Sequence, residues 1–318
     1  MTRLIIPFFL SLGWIPGNAQ TPAVVGFGYR VPTQQQFVAP GQIVTLFVSG
    51  AGKHLTTIPL RPSDPSAPLP NVLGGISVTL RQKVAPAMLS VPILAAVLVD
   101  TCYSYLNTPC NPSRFAAVAV QIPFELATVD LADPNRFPEA ILNVQEDGVT
   151  SGDFLVIAIA SNIHFATGRN PLGLDSIDEP YIRGGGAVFH SDGSPVAPES
   201  PAHPGEIVTV YGYGFGRPSN PVKTGEIAPA ANPMPVFSSM SFSILQSPGA
   251  STTAPDTGYI LPDYAGVAPQ AIGLYQLNFK APAVPDTAAY CDGDWKWNFI
   301  ITVPSGISPE SVRFCVRP

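Results

Sequence analysis

The amino-acid sequence predicts an all-β protein built from two tandem antiparallel β-sandwiches. One phrase occurs twice, as APGQIVTLFVSGAG from Ala39 to Gly52 and as HPGEIVTVYGYGFG from His203 to Gly216, 164 positions apart. A repeat of this kind indicates two copies of one structural module. The 318 residues also include 37 prolines and 28 glycines. Proline at that density ends helices early and favours short strands joined by turns.

Other segments match in the same order across the two halves. Alignment of Gln121 with Gln276 gives a spacing of 155, which predicts about ten extra residues in the first copy, near Cys102 to Cys110. The matching segments are PLPNVLGGISVTL (68–80) and AAVAVQIPFELA (116–127) in the first half, and PMPVFSSMSFSIL (233–245) and IGLYQLNFKAPA (272–283) in the second.

Period-two alternation and glycine turns place several strands. ILNVQ (141–145) and FLVIAIA (154–160) flank EDGVTSGD, whose glycines fit a hairpin loop, and HSDGSPV around Asp192 and Gly193 has the same signature. In DWKWNFIITV, alternate residues from Trp295 to Val303 form one apolar face. The best helical candidate is a short piece after Pro123. Short strands at such intervals, in two similar units, are typical of immunoglobulin-like sandwiches.

The first 19 residues have the pattern of a signal peptide. Arg3 precedes an apolar run from Leu4 to Ile15, and small residues lie before Gln20. The alternative, a buried first strand, is disfavoured by two prolines in the run. We therefore expect a signal peptide over 1–19, a first sandwich over 20–165, a linker over 166–184 and a second sandwich over 185–318. The apolar run 91–99 is too short to span a bilayer, so we expect a secreted or cell-surface protein with no membrane span in the mature chain.

Four cysteines in an exported chain favour disulfides over metal ligands. Cys102 and Cys110 lie close enough in sequence to be partners, which leaves Cys291 and Cys315 as a second pair. A simple hairpin would place Cys315 opposite Phe299, with Cys291 ~26 Å away along a straight strand, too far for a disulfide. Either the chain before Asp294 folds back, the two strands are not neighbours, or the pairing differs.

The charge distribution argues against nucleic-acid partners. The formal net charge is −6, and the 16 Lys and Arg residues form no cluster. A nucleic-acid footprint or a polybasic membrane patch requires such a cluster.

The phrase PGEIVTVYGYGFG resembles the opening strand and glycine loop of IPT/TIG immunoglobulin-like domains. The wider set of segments is similar to a family of exported bacterial proteins abundant in acidobacteria, whose function is not established. These segments are PGQIVTLF, PLPNVLGGISV, VQIPFEL, AVFHSDGSPV, HPGEIVTVYGYGFGRP and YAGVAPQAIGLYQLNF. The resemblance implies a secreted or surface-displayed β-sandwich protein and supplies no catalytic residue.

The sequence offers little catalytic chemistry. The four histidines, His54, His164, His190 and His203, are scattered, and none has a second histidine three to five residues away. No nucleophile elbow, zinc-protease motif or Walker loop is present. We interpret the glycines at 212, 214 and 216 as a turn or bulge that needs positive φ, rather than as a phosphate loop.

Two groups of residues are candidates for ligand binding. Oxygen-rich loops can hold calcium, although ordinary solvated turns are the commoner explanation for such clusters, and no other cofactor is expected. Aromatic faces can stack on sugars, although the tryptophan face continues as a core-packing stripe. The calcium candidates are Asp175, Asp178 and Glu179 in one cluster and Asp292 and Asp294 in the other; the aromatic candidates are Tyr211, Tyr213, Trp295 and Trp297.

Three functions remain as hypotheses. The preferred one is a non-catalytic structural or adhesive protein that presents loops to a protein or polysaccharide of the cell envelope. The second is a carbohydrate-binding module. The third is a secreted hydrolase assembled from distant loops, with His190, Asp192 and either Ser194 or Ser104.

Overall fold

Strands make up all the regular secondary structure of the described residues. The structure, a computed structural model, describes residues 21–28, 37–83, 88–101, 113–128, 138–166, 188–220, 222–229, 234–235, 241–244, 262–284, 291, 298–304 and 310–318. These ranges contain 20 strands and no helix, so the all-β prediction is confirmed. The short helix considered around PFELATVDLA (123–132) does not form over 122–128, which has only turn and irregular backbone, and 129–132 lie outside the described residues. Within the same ranges no helix could cross a bilayer.

Two sheets form from the first half of the chain. The four-stranded sheet has the order β1-β3-β8-β7, and the seven-stranded sheet has the order β2-β11-β9-β5-β4, with β10 on β9 and β6 on β5. All pairs are antiparallel except β2 with β11. The strands are β1 Ala23–Gly28, β2 Phe37–Val38, β3 Ile43–Ser49, β4 Val72–Leu73, β5 Ile76–Gln82, β6 Met88–Val91, β7 Ile93–Thr101, β8 Ser113–Gln121, β9 Glu139–Glu146, β10 Val149–Thr150 and β11 Phe154–Ala158.

These two sheets face each other across one apolar core. Val44 and Leu46 of β3 and Val78 and Leu80 of β5 are buried together in a single cluster. Because side chains alternate along a strand, every second residue of each sheet reaches this core. The arrangement is a β-sandwich.

Two further sheets form from the second half. The first has the order β12-β14-β18-β17-β15, with β13 on β14, and the second has the order β16-β19-β20. Their shared core contains Val210, Leu277, Ile301 and Phe314. The strands are β12 His164–Phe165, β13 Val188–Phe189, β14 Ile207–Tyr213, β15 Met234–Pro235, β16 Ser241–Ile244, β17 Tyr264–Val267, β18 Tyr275–Lys280, β19 Phe299–Val303 and β20 Glu310–Phe314. β12, at the end of the range assigned to the first sandwich, thus pairs within the second group of sheets.

The strand registers correct one alignment made from sequence. Ile43 of β3 pairs with Gln121 of β8, and Ile207 of β14 pairs with Lys280 of β18. Gln121 therefore occupies the position of Lys280, not of Gln276, and the spacing of 155 is wrong. The sequence alignment paired the two glutamines because each is followed by similar residues, but the strand registers do not match them. Counted by register, the first interval exceeds the second by about five residues rather than ten.

The two Pro-Gly turns have the same hydrogen bonds. Gly41 and Gly205 have positive φ angles of 75° and 83°. The side chain of Gln42 accepts a bond from the Ala39 N–H (2.8 Å), and that of Glu206 accepts one from the His203 N–H (2.8 Å). Each glutamine or glutamate thus closes the turn that precedes its strand, as side-chain caps commonly do.

Both predicted hairpin turns are confirmed. Asp147 and Gly148 have positive φ angles of 49° and 84° and join paired residues at the ends of β9 and β10, as a two-residue hairpin requires. In the second turn, the His190 N–H donates to the Ser194 carbonyl (2.9 Å), and the Asp192 side chain accepts from the Ser194 N–H (2.9 Å).

A polar seam joins the sheets of the first half of the chain to those of the second half. Arg217, just after β14, donates to the carbonyl oxygens of Phe124 and Leu126, both at 3.0 Å. The Gly225 N–H donates to the buried side-chain oxygen of Gln121 at 2.6 Å. Because these bonds satisfy buried or half-buried groups from both halves, separation of the halves would leave them without partners.

Aromatic rings complete the seam. Phe124 belongs by sequence to the first half, yet its ring is buried in the core of the second. Tyr275 is fully buried, stacks on Phe215 with ring centroids 5.3 Å apart, and donates its hydroxyl to the Gly216 carbonyl at 2.6 Å. The second core is therefore completed by a side chain from the first half.

The disulfide between Cys291 and Cys315 is confirmed, with a Cα separation of 5.8 Å. β19 and β20 are direct neighbours. The simple hairpin predicted Cys315 opposite Phe299, but Phe299 pairs with Phe314, so that register is wrong by one residue. Two bonds of 2.9 Å between Asn298 and Val316 continue the contact. Cys291 thus lies beside the end of β20 rather than ~26 Å away along a straight extension of β19. Cys102 and Cys110 lie outside the described residues.

We expect this disulfide to contribute substantially to stability. The cysteines are 24 residues apart, and closure of a loop of that size in the unfolded chain is worth about 3 kcal/mol. The double variant Cys291→Ala/Cys315→Ala should lose about that much free energy of unfolding in urea titrations under non-reducing conditions. An unchanged midpoint would contradict the assignment of this bond as a major stabiliser.

Candidate functional site

The outer face of the sheet that contains β14 carries the predicted residue Tyr211. Val208 and Val210 of β14 point into the core, so Thr209 and Tyr211 point away from it. Both are partly exposed. Tyr211 is therefore placed on a surface where a ligand could reach it.

Side chains from four strands extend this surface. Thr209 pairs with Asn278 of β18, which pairs with Tyr264 of β17, and Tyr211 pairs with Gln276. All of these side chains are partly exposed. We call this set the amide-aromatic face; its members are Phe189, Thr209, Tyr211, Tyr264, Gln276 and Asn278.

Hydrogen bonds fix the amides of the face. Asn278 Oδ1 accepts from Thr209 Oγ1 (3.1 Å) and from Gln276 Nε2 (3.5 Å). Both acceptor positions of Asn278 Oδ1 are thus used within the face. Among the described residues, no side-chain hydrogen bond involves Asn278 Nδ2 or Gln276 Oε1.

The aromatic rings are also held in place. The Tyr264 hydroxyl donates to the carbonyl of Val267 at 2.9 Å, so its ring lies along β17 across Gly266, which has no side chain. Tyr211 contacts Phe189 edge-on, with ring centroids 5.6 Å apart. Burial raises the pKa of the Tyr264 hydroxyl, which therefore stays protonated at neutral pH.

The other predicted aromatic residues are placed differently. Tyr213 ends β14 in register with His164 of β12, and burial raises the pKa of its hydroxyl. It lies at the border of the amide-aromatic face. Trp295 and Trp297 lie outside the described residues.

Of the residues predicted for a hydrolase, Asp192 and Ser194 contact each other within one turn. Asp192 and Ser194 bond to each other, with the Ser194 hydroxyl donating to Asp192 Oδ1 at 2.6 Å. The pKa of Asp192 is lowered by this bond and by the Ser194 N–H. The pair closes its own turn. Ser104 lies outside the described residues.

His190 instead contacts two residues that sequence reasoning missed. Its Nδ1 lies 2.5 Å from Glu206 Oε1, and its Nε2 lies 3.1 Å from the Ser200 carbonyl and 3.3 Å from the Ser200 hydroxyl. The side chains of His190 and Glu206 are only 13% and 23% exposed. The one sequence signal for this contact was the change from Gln42 to Glu206 within the repeated phrase, which introduces a charge that needs a partner.

The short contact between His190 and Glu206 has the geometry of an ion pair. Burial disfavours its charged form, but the bonds to Glu206 and to the Ser200 carbonyl outweigh burial and raise the pKa of His190. The pKa of Glu206 is lowered, because its bonds to His190 and to the His203 N–H outweigh burial. When His190 is protonated, both of its nitrogens donate, and neither can then accept a proton from the Ser200 hydroxyl. The contact clamps β13 to the start of β14.

We expect the His190 clamp to make stability depend on pH. Its contribution is complete below the ordinary His pKa of 6.5 and is lost as pH rises through the raised value. Glu206 contributes above its ordinary value of 4.5 and loses that contribution as pH falls through its lowered value. His190→Gln should therefore cost about 1–3 kcal/mol at pH 5.5 and clearly less at pH 8.5 in urea titrations.

A matched control is His54→Gln, because His54 pairs with Asp147 at 3.1 Å on an open surface. Exposed pairs contribute little, so this variant should follow the wild type at both pH values. A His190 variant whose cost does not change with pH would contradict the clamp.

The structure does not describe the residues predicted to bind calcium. Asp175, Asp178, Glu179, Asp292 and Asp294, the calcium candidates, all lie outside them. Within the described ranges, no three His, Cys, Asp or Glu side chains are grouped as a metal site would require. His203 Nδ1 contacts the Arg317 carbonyl at 3.2 Å, and His164 is part of β12.

The glycine-rich end of β14 is a backbone feature. Gly214 and Gly216 have positive φ angles of 76° and 99°, as predicted. Gly212 does not, which corrects the prediction at that position. A Cβ on Gly212 would lie 2.8 Å from the carbonyl oxygen of His164, so glycine allows the close approach of β12 there.

Comparisons with known proteins identify no family for this chain. No protein-family model matches it, and no curated protein matches it. Among solved structures, bovine butyrophilin is 8% identical with a TM-score of 0.18, over 93% of this chain and 99% of that one. The C-terminal domain of the Streptococcus agalactiae AgI/II polypeptide BspA is 9% identical with a TM-score of 0.19, over 94% and 99%. Scores this low support no inference about fold or function.

Proposed function

We propose that the chain is a non-catalytic structural or adhesive binding protein, secreted or held at the cell surface, made of two tandem immunoglobulin-like sandwiches. The seam between the sandwiches carries this proposal. Buried hydrogen bonds and the packed Phe124 ring hold the two sandwiches together at this seam. A protein that presents surfaces in a fixed arrangement needs such a contact between its domains.

Equivalent ladders support a tandem duplication. The order β1-β3-β8-β7 in the first half corresponds to β13-β14-β18-β17 in the second, with Thr45 and Thr209 at matching positions. The parallel pairing of Val38 with Ala158 corresponds to the parallel bridge of Ala202 with Val316. A short parallel strand beside an antiparallel sheet then occurs in each half, which agrees with the resemblance to exported proteins with IPT/TIG modules.

The proposed location is outside the cytoplasm. The disulfide between Cys291 and Cys315 requires an oxidising compartment to persist. The signal-like segment 1–19 would direct the chain there. The partner we propose is a protein or polysaccharide of the cell envelope.

Binding to envelope fractions tests this function. The purified chain from residue 20 onward should sediment with cell-wall material or with insoluble polysaccharide, while a heat-unfolded sample serves as the reference for nonspecific adsorption. A panel of esterase, glycosidase and peptidase substrates should show no turnover that depends on His190 or Ser200. Turnover lost in His190→Gln and Ser200→Ala would instead support the hydrolase hypothesis.

Carbohydrate binding is the second candidate function. The observation that favours it is the amide-aromatic face, where two tyrosine rings lie beside two amides. Aromatic rings can cover the apolar faces of sugars, and amides can bond to hydroxyl groups.

A further inference from the structure

The outer faces of the two equivalent sheets differ in chemistry. In the first sandwich, this face is apolar and almost fully buried. Its two rows across the sheet are Thr45, Ala119 and Ala95, and Phe47, Ala117 and Val97, none more than 3% exposed. In the second sandwich the row that matches Thr45 holds Thr209, Asn278 and Tyr264. The row that matches Phe47 holds Tyr211, Gln276 and Gly266. Alanines are thus replaced by amides, and the six members of the amide-aromatic face are partly exposed.

The polar groups of this face are only partly used within the protein. Thr209 and Gln276 both donate to Asn278 Oδ1, which fixes the two amides side by side. The Asn278 amino group and the Gln276 carbonyl point to no described side-chain partner. Two fixed, neighbouring donor and acceptor groups suit a ligand that carries adjacent hydroxyls.

The aromatic groups flank the amides on both sides. Tyr211 lies on β14 and Tyr264 on β17, with β18 between them. Two strand spacings and a stagger of two residues along the strands separate their Cα atoms by ~12 Å. The Tyr264 ring is anchored by its hydroxyl, and the Tyr211 ring is braced by Phe189. Rings fixed in this way lose little conformational freedom when they stack on a ligand.

The face carries no formal charge. All six of its members are neutral; Lys280, two residues after Asn278 and in register with Ile207, is exposed on the same side of the sheet at the border of the face. The six members themselves offer no cation to a phosphate or carboxylate polymer and no carboxylate to a cationic partner. The charge pattern therefore fits an uncharged ligand with both hydroxyl groups and apolar surfaces.

We propose that the amide-aromatic face binds a neutral polysaccharide chain. Tyr211 and Tyr264 stack on sugar rings about two strand spacings apart, and Asn278 and Gln276 bond to the hydroxyls between them. This inference rests on the proposed binding function and assigns that function a site and a ligand class.

Affinity electrophoresis in gels that contain one polysaccharide each tests the proposal. The neutral probes are xylan, β-glucan, mannan and starch, and the charged probes are alginate and pectate. The variants are Tyr211→Ala, Tyr264→Ala and Asn278→Ala, with thermal unfolding to show that each is folded. The control is Leu155→Ala, a 43% exposed sheet residue of the first sandwich. We expect retardation by at least one neutral probe, weakened about fivefold or more by each face variant and less than twofold by the control.

Three results would overturn the site. Retardation that the face variants leave unchanged would place the ligand elsewhere. Retardation only by alginate or pectate, lost in high salt, would show a charged ligand. No retardation by any probe, together with sedimentation on envelope protein, would show a protein partner and leave the proposed binding function intact. Failure of sedimentation on all envelope material would remove the proposed function itself.

Discussion

Gly214→Ala is expected to lower the free energy of unfolding by about 4 kcal/mol or more. Gly214 has a φ of 76°, and a Cβ there would overlap the carbonyl oxygen of Asn162, a backbone atom that no side-chain rotation can move. Asn162 also donates its own N–H to the Gly214 carbonyl at 2.7 Å, which holds the two backbone segments close together. The substitution therefore adds backbone strain to a direct overlap. Urea titration followed by circular dichroism measures the loss.

Gly193→Ala is the matched control for this prediction. Gly193 has a similar φ of 84°, but no atom lies within 4 Å of the position its Cβ would take. It should therefore show the conformational cost alone, about 1–2 kcal/mol. Equal losses in the two variants would show that the contact with Asn162 is unimportant.

Phe124→Ala is expected to cost about 3–5 kcal/mol, the usual range for a buried phenylalanine. Its ring is 5% exposed and fills a place in the core of the second sandwich, although its backbone follows β8 of the first. The loss of stability should affect mainly the second half of the chain and its contact with the first half. In the chain from residue 20 onward, the tryptophans are Trp295 and Trp297, and both belong to the second half of the sequence, so tryptophan fluorescence reports on that half.

The measurement compares fluorescence with circular dichroism during urea unfolding. In the wild type the two transitions should coincide, because the seam couples the halves. In Phe124→Ala the fluorescence transition should move to lower urea and separate from the other. The control is Phe154→Ala, which removes a partly buried ring stacked on Phe27 at 5.8 Å; its fluorescence midpoint should move less. Coincident transitions in Phe124→Ala would argue against this coupling role.

Local chemistry made much of the fold predictable. The Pro-Gly turns, the Asp147 and Asp192 hairpins and the pairing of Cys291 with Cys315 each depend on a few neighbouring residues or on a small number of partners. Period-two alternation likewise identified β14 and β19, because one face of each is buried in a core. These signals need no knowledge of distant contacts.

Contacts between distant segments could not be predicted in the same way. Arg217 bonds to main-chain carbonyls, which every residue has, so no sequence signal marks Phe124 or Leu126 as its partners. His190 was paired by proximity with Asp192, whereas the pairing of β13 with β14 brings it to Glu206. Tyr211 was identified as a candidate, but Asn278 and Tyr264 join it only through the strand register.

The seam has a practical consequence for anyone who divides this protein. A cut between residues 166 and 188 looks natural from the sequence, but it would strip Phe124 of its hydrophobic pocket and leave the Arg217 guanidinium facing solvent. Either fragment would then expose apolar surface that is buried in the intact protein, and this surface promotes aggregation. Recombinant work on a single repeat should therefore begin from a polar replacement of Phe124 rather than from truncation alone.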